Sequence, residues 1–327
     1  MARAIGDLAE QGPGWLSWLS PIGWNQQIRA FAGDRWQVLA LPLAATVLLV
    51  PLAFTLRRRR DLGSGLLHDR AGPAVGALSS PLGLAGRLQR PLLIAWTAGF
   101  AVMGFMMGSI ANNVAGLLDS PSIAEIVRRL GGNQRLVDAF LAAMLGLVST
   151  IITAYGISAV VRLRTEESAG HAESLLATAT PRTGWAASHC LIALAGVAWL
   201  ILVAGLAIGL GHAVAIGDSG QVLRVTLAAL TRIPAAWVMV GLVFALWGGW
   251  PRATGLGWGA YAVFIVVGEF GQLWKLPGWA MDVSPFAHSP VLPGPDPELA
   301  GMLWLTVIAG ALLVAGFSAF RQRDLAG

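Results

Sequence analysis

The sequence predicts an all-α membrane protein, a polytopic bundle of about seven transmembrane helices with one interfacial helix and one short helix in a cytoplasmic loop. Hydrophobic residues make up 56% of the 327 residues and charged residues only 12%, whereas soluble domains carry about 25% charged residues. The apolar residues form continuous runs of about twenty, the length that crosses a bilayer as a helix. The alternation that marks membrane strands is absent.

Seven apolar runs are long enough to span the membrane. Because lipid offers no partner for backbone N–H and C=O groups, each run is expected to be helical. Glycines in the second run, Gly99, Gly104 and Gly108, are expected to let helices approach closely. The runs cover roughly residues 36–56, 92–111, 139–161, 185–210, 233–249, 256–273 and 299–320.

The basic residues indicate the orientation of the bundle. They are nearly all arginines beside apolar runs, so they point to membrane topology rather than to nucleic-acid binding. Thirteen of the 22 basic residues fall on one side, which the positive-inside rule makes cytoplasmic. The sequence thus predicts a multi-pass protein of the cell membrane with an external amino terminus and a cytoplasmic carboxyl terminus. The thirteen are Arg57, Arg58, Arg59, Arg60, Arg70, Arg87, Arg90, Arg162, Arg164, Arg182, Arg252, Arg321 and Arg323.

Two stretches of the chain echo each other. Trp15 precedes Ser20 by five residues in WLSWLSPIGW, and WAMDVSPFAH at 279–288 repeats the spacing. Each stretch is followed by one apolar run and then by Arg-Asp-Leu, at 60–62 and at 323–325. An ordered set at matched spacing indicates an internal duplication, a common feature of transporters.

The duplication predicts two domains. Residues 1–63 would be the end of a first repeat, an external loop plus one transmembrane helix, and residues 64–327 a six-helix transmembrane domain. On this hypothesis the reading frame continues upstream of Met1. Another transmembrane half, covalent upstream or separate, would then be a partner.

An interfacial helix is predicted from Ser80, with Pro81 in its first turn. Its leucines would lie in lipid, with Arg87 and Arg90 among the headgroups. A plain linker is the alternative.

The stretch RLRTEESAGHAESLLATATPRTGW at 162–185 separates two apolar runs. Thr165 is a suitable N-cap, followed by two glutamates that favour a helix start, and Pro181 would end a helix of about three turns. Its small apolar strip buries little, and its acidic residues oppose an anionic lipid surface. This helix is therefore expected to bind a partner protein. The alternative is a helix in a solvated loop.

This loop resembles the first cytoplasmic loop of ABC-2 type exporter permeases. The resemblance implies that its helix is a coupling helix docked on a separate cytoplasmic ABC ATP-binding subunit. The implied activity is ATP-driven export of hydrophobic small molecules, as in antibiotic export and multidrug resistance. The implied coupling residues are Arg164, Glu166, Glu167, Gly170, Glu173, Leu175, Leu176 and Thr178.

A finer resemblance involves RRRRDLGSGLL, SPFAH and the duplicated design. Together these are similar to the tetronasin-type membrane subunits of actinobacterial antibiotic exporters. The likeness covers about residues 15–327.

No catalytic motif is present in the sequence. GxxxxGK[ST], HExxH and GxSxG do not occur, so ATP and Mg are expected on the partner ATPase and no cofactor in this chain. The five histidines show no ligand pairs at helical spacing, and Cys190 is the only cysteine. No metal site or disulfide is expected.

Glu269 lies inside the sixth apolar run, in VVGEFGQLW. Carboxylates within the membrane are costly and usually face a cavity or partner. Glu269 is therefore a candidate for the substrate path or for a proton site, which would suit a proton-coupled secondary transporter. The alternatives are a boundary carboxylate near Lys275 and a non-transporting membrane fragment.

Overall fold

The computed structural model describes residues 18, 21–28, 35–58, 80–111, 132–271, 274–294 and 300–323. All regular secondary structure in these ranges is helical, which confirms the all-α class. The chain forms two compact units, Met1–Gly76 and Ala77–Gly327.

The first unit contains α1 (Pro21–Gln27), a 3-10 turn (Trp36–Leu39) and α2 (Ala40–Arg58). The turn and α2 together form the first candidate membrane span, Trp36–Arg58. Arg57 and Arg58 occupy the last turn of α2, where cations complement the negative end of the helix dipole.

The second unit contains nine α-helices in the described part of the chain. In order they are α3 (Pro81–Ile110), α4 (Gly132–Ser168), α5 (His171–Leu176), α6 (Arg182–Ile216), α7 (Gly220–Leu230), α8 (Ile233–Gly249), α9 (Leu256–Phe270), α10 (Gly278–Met281) and α11 (Ala300–Gln322).

Six helical segments of the described chain are long and apolar enough to cross a membrane, in agreement with a polytopic bundle. The predicted run 256–273 is not among them, because α9 has only 15 residues. At 1.5 Å per residue it is about 22 Å long, short of the bilayer's apolar core. The six are Trp36–Arg58, Pro81–Ile110, Leu136–Ser168, Arg182–Ile216, Gly220–Gly249 and Ala300–Gln322.

The fifth span of this set begins earlier than predicted. Helix α7 lies between the predicted runs 185–210 and 233–249, yet it continues into α8 to form Gly220–Gly249. Arg224 and Arg232 interrupt its apolar run, which hid it from a hydropathy reading. Val225, Ala228 and Ala229 are nevertheless buried on one helical face, at the spacing that an amphipathic helix requires.

Helix α3 begins as predicted, since the Ser80 hydroxyl accepts a bond from the Gly83 amide at 3.1 Å. The linker alternative is therefore wrong. The helix is also continuous through Pro91 to Ile110, so the interfacial segment is the first part of a 30-residue helix. It packs inward, because Gln89 is buried and its Nε2 donates to the Ala159 carbonyl at 3.4 Å.

Helix α6 occupies the centre of the second unit and packs against α3, α4 and α7, while α8 packs against α11. The closest approach is between α3 and α6, where a Cβ on Gly108 or Gly211 would strike the facing backbone. The prediction of glycine packing is confirmed for Gly104 and Gly108. It is wrong for Gly99, beside which a Cβ would meet nothing within 4 Å.

Candidate functional site

The loop between α4 and α6 differs from the predicted helix. Helix α4 runs unbroken through Thr165 to Ser168, so Thr165 is not an N-cap. The break comes at Gly170, whose φ of 74° lies in the left-handed region that glycine tolerates. Helix α5 then has six residues instead of three turns. Leu163 and Glu167, one helical turn apart, are both buried on the inner side of α4, so the helix continues into the charged stretch.

Glu167 is buried at the end of α4. Its Oε1 accepts a hydrogen bond from Arg323 Nη1 at 2.6 Å, and its Oε2 accepts one from Arg323 Nη2 at 3.0 Å. The indole Nε1 of Trp247 also donates to Oε2 at 3.0 Å. Only 2% of the Glu167 side chain is exposed, so any part it plays in coupling would pass through Arg323 and Trp247 and not through direct contact with a docked subunit. It joins three helix ends within the chain.

Aromatic rings enclose this ion pair. The Arg323 guanidinium lies 5.1 Å from the Trp247 ring centroid and 5.2 Å from that of Phe320. Trp247 and Phe320 stack at 4.6 Å, and Trp185 meets Trp247 edge-on at 5.9 Å. Arg182 donates from Nη2 to the Arg323 carbonyl at 2.9 Å. We call these five residues, together with Glu167, the inner cluster; water is largely excluded from it, which strengthens its electrostatics.

Glu166 faces away from the inner cluster and holds α5 in place. It accepts a bond from Arg162 Nε at 3.3 Å and contacts His171 Nδ1 at 3.2 Å. His171 is the first residue of α5. Glu166 therefore ties the short helix back onto α4 across the Gly170 turn.

The remaining predicted coupling residues divide by exposure. Gly170, Glu173 and Thr178 are exposed, and Thr178 Oγ1 donates to the Leu175 carbonyl at 2.6 Å. Arg164, Leu175 and Leu176 are half-buried, and the two leucines pack against the core. Helix α5 thus anchors its apolar side on the bundle and presents Glu173 outward.

Glu269 is the penultimate residue of α9, and its side chain lies outside the described residues. Within the described ranges, no three His, Cys, Asp or Glu side chains come close enough to hold a metal ion.

The partners of Glu167 were not predicted from the sequence. Arg323 was read as a topology signal, and Trp247 and Phe320 as parts of apolar runs. The one signal in the sequence was two adjacent carboxylates next to an apolar run, since a carboxylate that becomes buried there needs a cationic partner. A second pair, Arg224 with Asp138 at 2.9 and 2.7 Å, was missed likewise.

Asp218 precedes α7 and acts as its cap. Its Oδ1 accepts the Gly220 amide and its Oδ2 the Gln221 side chain, both at 2.9 Å. These two donors, the Gln221 amide first, hold the pKa of Asp218 below its ordinary value.

The family described as "Multidrug efflux system permease Rv1217c, C-terminal domain" matches residues 78–321. A curated relative, the "Multidrug efflux system permease protein Rv1217c" of Mycobacterium tuberculosis, is 41% identical over 327 residues. The match takes in 99% of this chain and 59% of the relative, so the chain spans about three fifths of the relative's length.

Proposed function

The chain belongs to the Rv1217c multidrug efflux permease family, and on that premise we propose that it is the transmembrane permease subunit of an ATP-driven ABC exporter. Its cargo would be hydrophobic small molecules such as antibiotics or drugs, moved out of the cell. The relative's description as a multidrug efflux permease supports this cargo class. RRRRDLGSGLL and SPFAH support the finer, tetronasin-type assignment.

The observation that carries the proposal is the attachment of α5. Glu173 on its exposed side and Thr178 in the turn after it are available to a partner, while Leu175 and Leu176 anchor it to the core. The adjoining end of α4 is locked to the end of α11 through Glu167 and Arg323. A force applied to α5 is therefore passed to two membrane helices.

The partner we propose is a cytoplasmic ABC ATP-binding subunit, which would hold ATP and Mg and perform the hydrolysis. Nucleotide binding would displace α5 and shift the bundle between inward-open and outward-open states, provided that ATP binds the two states with different affinity. On this proposal α5 and the carboxyl terminus lie in the cytoplasm and the amino terminus lies outside, as the arginine distribution favours. This orientation requires a seventh crossing in addition to the six long apolar spans, and α9 with the residues that follow it would supply that crossing.

We also propose that residues 1–63 correspond to the end of a first repeat and residues 64–327 to a six-helix domain. The matched Trp, Ser-Pro and Arg-Asp-Leu spacing supports it. A second transmembrane half would then complete the transporter.

The test is co-purification of the ATPase with the permease from native membranes. Glu173→Lys should abolish co-purification, because it reverses an exposed charge on α5 while leaving the inner cluster intact. Glu173→Gln and Arg252→Gln, a change at an exposed residue outside this loop, serve as controls and should retain the ATPase.

Two results would contradict the proposal. If no ATP-binding subunit accompanies the native protein, the exporter assignment fails. If the subunit is retained by Glu173→Lys, docking occurs elsewhere on the chain.

A further inference from the structure

An open basic cavity lies where the start of α6 meets the end of α11. Helix α11 is a span of 23 residues, about 34 Å long, so its ends reach the two boundaries of the apolar core. The cavity is therefore at the depth of the lipid headgroups. It is lined, among the described residues, by Arg182, Thr183, Phe320 and Arg321.

The guanidinium of Arg182 is held in position by the protein. Its Nη2 donates to the Arg323 carbonyl at 2.9 Å, and its Cζ lies 5.4 Å from the centroid of the Phe320 ring. A guanidinium has five N–H donors, so this hydrogen bond leaves most of them for a ligand. Because the group is already fixed, binding a ligand costs little further side-chain entropy.

Arg321 and the helix end add to the positive charge of the cavity. Arg321 is exposed and supplies a second cation. The first amides of α6 have no partners within the helix, and Pro181 at the N-cap offers them no side-chain acceptor. This end of α6 therefore carries a partial positive charge. The opposite partial charge at the end of α11 is offset by Arg321 and Arg323.

The lining fits a phosphate group. Arginines bind phosphate oxygens through bidentate, charge-assisted hydrogen bonds, and the Thr183 hydroxyl can donate a further one. The described lining includes no carboxylate, and Glu167 of the inner cluster is already bound by Arg323. The volume is about 230 Å³, enough for the five heavy atoms of a phosphate together with ordered water.

Exposed apolar surface continues from the cavity toward the middle of the membrane. On α6, Ala187 and Leu191 follow Thr183 at intervals of four residues and share its face, and both are exposed. On α11, Val314 is exposed two turns before Arg321. A molecule with a phosphate in the cavity and apolar chains along these helices matches both features. A phospholipid has this form, whereas a free phosphate does not.

We propose that Arg182 and Arg321 bind the headgroup phosphate of an anionic phospholipid from the surrounding membrane. Basic pockets between membrane helices bind anionic headgroups in the same manner. Because Arg182 also donates to the Arg323 carbonyl, the bound lipid fastens the ends of α6 and α11 beside the Glu167–Arg323 pair. The inference goes beyond transport, and the site does not depend on the exporter assignment.

The experiment measures lipid binding to the full chain, purified with its accompanying subunits and stripped of lipid in detergent. Native mass spectrometry gives the affinity and thermal melting the stabilisation. The probe is dioleoylphosphatidylglycerol, and dioleoylphosphatidylcholine is the matched control, since it has the same chains and phosphate but its choline cation is repelled by the arginines. Phosphatidylglycerol should bind about tenfold more tightly, a difference worth one charge-assisted hydrogen bond. It should also raise the melting temperature more.

Variants locate the binding at the cavity. Arg321→Gln should weaken phosphatidylglycerol binding about tenfold yet melt like the native protein without lipid, because Arg321 is exposed. Arg321→Lys should retain part of the affinity, since it keeps the charge but not the bidentate geometry. Combined with Arg182→Gln, Arg321→Gln should bind the two lipids equally. Arg90→Gln and Arg252→Gln change exposed arginines elsewhere and should bind as the native protein does.

Several results would overturn the proposal. If Arg321→Gln keeps the full preference for phosphatidylglycerol, the cavity is not the site. An equal loss in Arg90→Gln and Arg252→Gln would show a general attraction between basic residues and anionic lipid. Equal affinity of the native protein for the two lipids would show that no anion is selected. Displacement of the lipid by inorganic phosphate, with the same rise in melting temperature, would assign the cavity to a free anion.

Failure of the exporter assignment gives a different result. If no ATP-binding subunit accompanies the protein but phosphatidylglycerol binds as expected and Arg321→Gln weakens it, the proposed function fails while the lipid site stands.

Discussion

Glu167 at the end of α4 and Arg323 beyond α11 form a bidentate ion pair, although 156 residues separate them in sequence. The two hydrogen bonds measure 2.6 and 3.0 Å, and 2% and 14% of the two side chains are exposed. Trp247 donates to the same carboxylate. The pair thereby connects the coupling loop, the carboxyl-terminal helix and α8.

Breaking this pair should be strongly destabilising. We expect Glu167→Gln and Arg323→Gln each to cost about 3–5 kcal/mol, because each leaves a buried charge without its partner. The double variant should cost less than the sum of the two, since neither charge remains. Unfolding in detergent micelles measures all three. Glu173→Gln and Arg321→Gln change exposed neighbours and should alter stability little. If Glu167→Gln and Arg323→Gln cost no more than these controls, the pair is not formed.

Helices α3 and α6 approach each other so closely at Gly108 and Gly211 that neither position should tolerate a side chain. Gly108→Ala and Gly211→Ala should each cost about 1–3 kcal/mol, because the new methyl group meets the backbone of the facing helix. Gly99→Ala lies on the same helix as Gly108 with open space around it. It should be neutral or stabilising by the helix propensity of alanine. Thermal melting distinguishes the three, and equal shifts would contradict this packing.

The turn between α4 and α5 should require glycine. Gly170→Ala should cost about 1–2 kcal/mol, because a φ of 74° strains any residue with a Cβ. It should also weaken ATPase stimulation by displacing α5. Gly255→Ala is the control, since its φ of −62° is ordinary and nothing lies within 4 Å of a Cβ there. A neutral Gly170→Ala would show that the loop adopts another backbone.

The Asp218 cap should make part of the stability depend on pH. Hydrogen bonds from Gln221 and Gly220 lower the pKa of Asp218 from its ordinary 3.8. Its contribution is therefore present above that value and lost as the pH falls through the lower folded-state pKa. Asp218→Ala should lower the melting temperature slightly at pH 7, and by progressively less as the pH falls below 3.8. Ser219→Ala removes a side chain that makes no capping bond and should show no such difference.

Glu269→Gln distinguishes the exporter from a proton-coupled transporter. If ATP drives export, the variant should retain flux in proteoliposomes supplied with the ATPase and ATP. A proton-coupled mechanism instead predicts flux driven by a pH gradient without ATP, and its loss in Glu269→Gln. If the native protein shows no flux with either ATP or a pH gradient, it is a non-transporting membrane protein.

The sequence anticipated the helices best where local physics decides them. Ser80 caps α3 as its side-chain chemistry predicts. The apolar runs form helical spans because lipid offers no hydrogen-bond partners, so the backbone groups must bond to one another. It failed at α7, where arginines interrupt the hydropathy pattern, and at α9, where an apolar run continues past the end of the helix at Phe270.

The candidate site was only half predictable. A helix in the loop and an outward-facing Glu173 follow from the local pattern. Glu166 and Glu167 are adjacent and chemically identical, and on a helix they point about 100° apart. The charged stretch around them carries too few apolar residues to show which one faces the core.

The sequence by itself determined the class of fold, the membrane location of the apolar runs and the presence of a charged loop, because these depend on composition and on neighbours within one helix. The tertiary structure alone decided that Glu167 turns inward to Arg323, that Glu166 secures α5, and that Arg224 of α7 pairs with Asp138 of α4. Each of these depends on which helix ends meet. The spacing of adjacent residues does not determine how distant segments pack together.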